Sequence, residues 1–325
     1  MVQDILFCLQ EATLYYILKK YSIPKSPADC FVNPPCGCEN PGKELKCEDC
    51  SYLEGCLSNF KPRYKPSKQM PATTNFFRVD DLLVQIYNSE VEMAEKVAEI
   101  AQNYLKQVLC QQETAAVLLA TGNSQLKFLD ALITFGDVDW SRITLFHLDE
   151  YLGITADHSA SFRRYMQEHV EKRVCPQQFH YIEGDALQPL AECDRYTKLL
   201  QAQPIDLCCL GIGENGHLAF NDPSVANFQD PYSVKLVKLD TVNRQQQVNT
   251  GYFPNIDSVP QYAFTVTLPL ICSAKKILCL APEKRKAQIV KQILTGSINI
   301  NSPASILRQQ SQATLFLDAN SASLL

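Results

Sequence analysis

The pattern of apolar and polar positions changes once along the chain, at about residue 78. Beyond that point short, continuously apolar runs alternate with helical spacings. Val91–Leu109 places Met93, Val97, Ile100, Ala101, Tyr104, Leu105 and Val108 on one side of a helical period and predicts an amphipathic helix. The run Ala115–Ala120 follows, then the polar turn Thr121-Gly122-Asn123-Ser124 and a second helix, Gln125–Ile133. Further strands are predicted at Ile143–Leu148, Phe179–Ile182, Asp206–Leu210, Val234–Leu239, Phe264–Leu268, Lys276–Leu280 and Ala313–Leu317. Helices are expected at Ser161–Lys172, Leu190–Gln201 and Lys284–Leu294. Strands this short and this apolar are buried on both faces, which predicts an α/β fold of three layers, a mostly parallel sheet with helices on both sides.

The N-terminal part reads differently. Ile5–Tyr21 has helical character through Leu6, Leu9, Leu14, Ile17 and Leu18, and ends before Pro24. Pro27, Pro34, Pro35, Pro41, Pro62, Pro66 and Pro71 then prevent long helices or central strands. The expected organisation is a helix and Cys/Pro-rich extension or linker over residues 1–75 and one catalytic domain over 76–325.

Composition narrows the function classes. The chain has 325 residues, 46% hydrophobic and 20% charged, which excludes wholesale disorder. With 30 basic against 35 acidic residues the net charge is −5, so no basic field draws in nucleic acid or an anionic membrane. Asp4 and Glu11 interrupt the first apolar stretch, no basic segment precedes it, and no run is long enough to span a bilayer, so a soluble, cytoplasmic protein is expected. Of the 14 cysteines, Cys30, Cys36, Cys38, Cys47, Cys50 and Cys56 share one window, and the others are scattered through apolar segments. The scattered set reads as small core residues of a reducing compartment. The window is open to two readings, a structural metal site or an unliganded thiol-rich segment.

In an open parallel sheet ligands bind beyond the carboxyl ends of the strands. Three polar clusters fall there: Thr121–Ser124, Asp149–Glu150 and Gly211–Asp222. The first combines Gly122 with a helix N-terminus, whose free N–H groups suit phosphate; a simple helix cap by Thr121 or Ser124 is the alternative. The third contains Gly-x-Gly-x-x-Gly at Gly211, Gly213 and Gly216, but Pro223 and Pro231 leave no helical period after it, and a dinucleotide site is rejected. It does place His217 five residues before Asp222 and two after Asn215, where a carboxylate can set the imidazole tautomer. Asp149 closes an apolar strand, and its partial desolvation makes it a competent proton acceptor. Together these residues predict an acid–base site, and His147, His158, His169 and His180 lack the spacing of a metal site.

The segments Phe146–Gly153 (FHLDEYLG) and Gly211–Pro223 (GIGENGHLAFNDP) resemble the two signatures of glucosamine-6-phosphate deaminase, and the order of segments agrees from about Arg78 to Leu317. The resemblance implies a modified Rossmann-like sheet and conversion of glucosamine 6-phosphate and water to fructose 6-phosphate and ammonia. It implies Asp149 as the base between C2 and C1, and His217, with Asp222 and Asn215, as the group assisting ring opening. Thr121, Gly122, Asn123 and Ser124 would hold the phosphate, with Arg244 and Lys286 as its basic ligands. No metal or organic cofactor is implied, the partner is a small-molecule sugar phosphate, and homo-oligomerisation stays open. The sequence departs from the family pattern at Asp222, where glutamate is usual, at Gln125 in place of proline, and at Asn123 in place of a smaller residue. Residues 1–75 have no counterpart. A 6-phosphogluconolactonase-like hydrolase shares the Gly-rich loop but continues it differently from Leu218–Pro223. A non-catalytic sugar-phosphate sensor would not require Asp149.

Overall fold

A computed structural model describes residues 75–325; the Ile5–Tyr21 helix and the six clustered cysteines lie outside them. Two antiparallel strands, β1 (Asn75–Val79) and β2 (Leu82–Tyr87), open the described chain. Helix α1 (Glu90–Gln111) follows, its start fixed by the Ser89 hydroxyl accepting from the Glu92 N–H at 3.2 Å. Met93, Val97, Ala101, Leu105 and Val108 recur every three or four residues and are all buried, so the period seen in the sequence is the core face.

Next come β3 (Ala115–Leu119), α2 (Asn123–Phe135), β4 (Ile143–His147) and β5 (Asp149–Tyr151). Helix α3 (Phe162–Met166) runs through a π-helical stretch, Gln167–Glu171, toward β6 (Gln178–His180) and α4 (Pro189–Gln201). The remaining elements are β7 (Leu207–Gly211), β8 (Val234–Lys238), α5 (Thr241–Asn249), β9 (Tyr262–Val266), α6 (Leu268–Cys272), β10 (Lys276–Leu280), α7 (Ala287–Thr295) and β11 (Ala313–Asp318).

Among the described residues the main sheet has eight strands in the order β1-β2-β11-β10-β7-β3-β4-β6, parallel except for the β1–β2 pair. The expected three-layer architecture is therefore present. Alternation within the strands divides the core. Leu118, Cys208, Leu210, Cys279 and Leu315 pack with α4 and α7 residues such as Tyr196 and Val290. Val117, Leu119, Cys209, Leu278 and Phe316 face α1 and α2. Adjacent Cys208 and Cys209 thus serve opposite layers, and burial pushes both thiols upward, which keeps them protonated and inert.

Two predicted strands join a different sheet. β8 and β9 form an antiparallel three-stranded sheet with β5, in the order β5-β9-β8. It has its own small core of Tyr151, Phe162, Phe220, Phe253 and Ala263. From β3 the chain moves outward through β4 to β6, and then returns to place β7 on the other side of β3. The β3/β7 boundary is consequently the point where strand order reverses, and the crevice above it is where ligands of such sheets bind.

Candidate active site

A cavity opens at that boundary. Its walls come from the segment after β3 (Ala120–Ser124), Leu148 and Asp149 after β4, Gly211–Gly213 after β7, and Arg285 and Lys286 after β10. All three polar clusters of the sequence contribute to one rim.

The turn after β3 enters α2 through Gly122 at φ +101, a left-handed conformation that favours glycine. No side chain caps the helix, so the simple capping alternative for Thr121 and Ser124 does not apply. The helix N-terminus instead borders the cavity through Gly122, Asn123 and Ser124. Gln125 is buried and donates to the Ser124 hydroxyl at 3.2 Å. Asn123 accepts from the Tyr252 hydroxyl at 3.3 Å across the cavity mouth.

Asp149 lies in β5, paired with Thr265 of β9 and almost entirely buried. Burial, reinforced by the neighbouring Glu150, holds its carboxyl well above the ordinary carboxylate range. Glu150 belongs to the same polar cluster in the sequence but points elsewhere. It is fully buried and accepts from the N–H groups of Tyr151, Phe162 and Arg163 and from the Ser161 hydroxyl, at 2.8 to 3.1 Å. That makes it the anchor of the α3 N-terminus, outside the cavity lining.

The Gly-rich segment forms a tight loop, closed by Gly213 N–H to His217 O at 2.9 Å and Gly216 N–H to Gly213 O at 3.0 Å. A Cβ on Gly213 would lie 2.1 to 2.3 Å from three atoms of the His217 ring, so the imidazole seats only against a bare backbone. Ala219 takes a left-handed φ of 51° just beyond, and buried Asn221 ties the loop to β9 by donating to Leu218 O at 2.8 Å and Val266 O at 2.9 Å. His217 Nδ1 meets the Asn215 carbonyl oxygen at 2.7 Å and Asp222 Oδ1 at 3.1 Å. Two acceptors on Nδ1 place the proton there and leave Nε2 as the basic nitrogen on the cavity side. Burial pushes the Asp222 carboxyl up, but hydrogen bonds from His217, Asn243 and Asn215 outweigh it and the net displacement is downward. Asn215 and Asp222 stand behind His217, which alone of the three lines the cavity.

Of the two basic residues expected on a phosphate, Lys286 lines the cavity and is buried, and desolvation, then the neighbouring Arg285, lowers its ammonium to about 8. Arg244 is not among the residues lining the cavity; its guanidinium donates to the carbonyls of Ile256 and Val259 and so closes the loop after α5. The second cation on the cavity is Arg285, clasped by Glu283 at 2.9 and 3.0 Å and by Glu214 at 2.8 Å. Its only sequence signal was adjacency to Lys286. The wall formed by Gln246 and Gln247 of α5 with Thr250 and Tyr252 after it also escaped the sequence reading, since Thr241–Asn249 is mostly polar, with only Val242 and Val248 apolar, and shows no apolar face.

A Rossmann-like sheet with a buried carboxylate, a carboxylate-backed histidine and a cationic helix-terminus cradle at its switch point defines an enzyme of small phosphorylated substrates. Residues 88–316 match the family model described as glucosamine-6-phosphate isomerases/6-phosphogluconolactonase. A glucosamine-6-phosphate deaminase of Exiguobacterium sibiricum is 34% identical over 236 residues, 72% of this chain and 91% of that protein. One from Listeria monocytogenes is 33% identical over 244 residues, covering 74% of this chain and 100% of its own length. The solved structure of a monomeric glucosamine-6-phosphate deaminase superposes with a TM-score of 0.69 at 32% identity, over 74% of this chain and 99% of that one. A 6-phosphogluconolactonase from Shewanella baltica shares the fold, with a TM-score of 0.62 at 18% identity over 75% and 100% of the two chains. The chain belongs to the glucosamine-6-phosphate isomerase/6-phosphogluconolactonase family.

Proposed function

We propose that the chain is a deaminating aldose–ketose isomerase that converts glucosamine 6-phosphate and water to fructose 6-phosphate and ammonia. The observation that carries this reading is the meeting of Asp149, His217 and Lys286 on one cavity, in a chain whose more similar relatives bear the deaminase name. The phosphate sits against the N–H groups of the α2 terminus, the Thr121 and Ser124 hydroxyls and the Lys286 ammonium, which together complement its charge. His217, with Nδ1 held by Asp222 and Asn215, takes and returns protons through Nε2 as the pyranose ring opens. Asp149 removes the C2 proton of the open aldehyde to give an enolamine and delivers a proton to C1. The resulting C2 imine adds water, breaks its C–N bond and leaves as the ketose and ammonia. Each step needs only proton transfer and water, and the raised affinity of Asp149 for protons suits a group that both takes and gives one.

Ammonia release from glucosamine 6-phosphate, measured beside hydrolysis of 6-phosphogluconolactone, tests the assignment; lactone hydrolysis without ammonia would overturn it. Asp149→Asn is expected to lower kcat by about 10² to 10⁴, the usual contribution of a positioned acid or base, while the fold survives. Near-normal turnover in that variant would remove Asp149 from the chemistry.

A further inference from the structure

The Asp222 carboxylate is fully buried and held on both oxygens. Beside Asn215, which donates to Oδ1 at 3.1 Å, each oxygen is met by a donor from the start of α5. Asn243 Nδ2 donates to Asp222 Oδ1 at 2.9 Å, and the Asp240 N–H donates to Oδ2 at 3.2 Å. Asp240 is itself the cap of that helix, its Oδ1 accepting from the Asn243 N–H at 2.8 Å, and its Oδ2 accepts from Asn215 at 3.0 Å. The Asn243 amide has one orientation available: its oxygen accepts from Gln247 Nε2 at 3.2 Å, so its NH₂ faces Asp222. Gln247 in turn lines the cavity. A continuous chain of hydrogen bonds therefore runs from the cavity wall through Gln247 and Asn243 to Asp222 and His217.

We propose that Asn243 is a positioning residue for the proton-transfer step: it holds Asp222 against His217 Nδ1, and through it the start of α5 becomes part of the apparatus that aims His217. Asn243 is wholly buried and lies outside the cavity lining, so it acts through Asp222 and not on the substrate. The titratable groups around Asp222 are His217 and Asp240, and Asn215 bridges the two carboxylates.

The proposal rests on the deaminase reading for its kinetic consequences, and its test separates the two. Asn243→Ala removes the donor, and kcat for ammonia release is expected to fall about tenfold to a hundredfold, the equivalent of one hydrogen bond to a charged group. KM for glucosamine 6-phosphate stays within about twofold, because uniform binding is untouched. Asn243→Asp keeps the shape but sets a second carboxylate beside Asp222. NMR titration of the His217 imidazole is then expected to give a midpoint displaced from the wild type in both variants, a change that a purely structural role does not produce. Should the buried aspartate unfold the chain, the alanine variant still supplies both readings. Folded variants with unchanged kcat and an unmoved His217 midpoint would overturn the proposal. If the wild-type protein releases no ammonia, the activity reading fails, while the His217 titration still decides the role of Asn243.

Discussion

Lys286 and Asp149 are both desolvated on one cavity, and desolvation moves an ammonium down and a carboxyl up, toward each other. The sign follows for each. Phosphate pairs with the protonated Lys286, so kcat/KM should decline as pH rises through about 8, and Lys286→Arg should flatten that limb. Asp149 acts as a base only when ionised, so activity should be lost on acidification at a pH above the ordinary carboxylate range. A profile level to pH 10, or one unaltered by Lys286→Arg, would detach Lys286 from the phosphate. Gly213 offers a second residue-scale test, since its Cβ would enter the His217 ring. Gly213→Ala should lower kcat by about 10², the effect of displacing a reacting group by an ångström, with little change in KM. Undiminished kcat would mean the imidazole need not sit where it does. Asp149, His217 and Asp222 were legible in the sequence because their spacing to strand ends and glycines is local. Arg285 and Asn243 were not, because what qualifies them is a partner on another segment.

At the scale of elements, the helices and strands that bury a face were legible, and those that do not were missed. α1 declared itself through Met93, Val97, Ala101 and Leu105, whereas α5 buries only Asn243 and Gln247 and carries no apolar stripe. Its stability comes from the Asp240 cap and from tertiary hydrogen bonds, among them those that Arg244 makes to Ile256 and Val259. Arg244→Ala is therefore expected to lower stability by about 1 to 3 kcal/mol, the range for hydrogen bonds to a charged group, and to leave KM nearly unchanged. Thermal unfolding beside a KM measurement checks this, and a large rise in KM at constant Tm would restore Arg244 to the phosphate. The strands β8 and β9 carried the right apolar pattern but gave no hint of their sheet. Alternation reports which face is buried, and pairing with β5 is a matter of register with a distant segment.

For the molecule as a whole, the site exists because the chain reverses direction across the sheet between β3 and β7. That reversal leaves a crevice at the carboxyl ends, into which α2 aims its N-terminus and the β4 and β7 ends deliver Asp149 and His217. The antiparallel β5-β9-β8 sheet supports it from one side, carrying Asp149 on its first strand and fastening the His217 loop through Asn221. Among the described residues no helix is long and apolar enough to cross a membrane. By itself the sequence determined the α/β class, the strand-end location of the polar clusters and which of their residues are proposed for acid–base work. Each of these follows from hydrophobic period and local spacing, which act over a few residues. Tertiary structure alone decided that Glu150 anchors α3, that Arg244 secures a loop, and that α5 grips Asp222 from behind. Those outcomes depend on which distant donors meet each buried charge, and a buried charge takes the partners that packing supplies, wherever they lie along the chain.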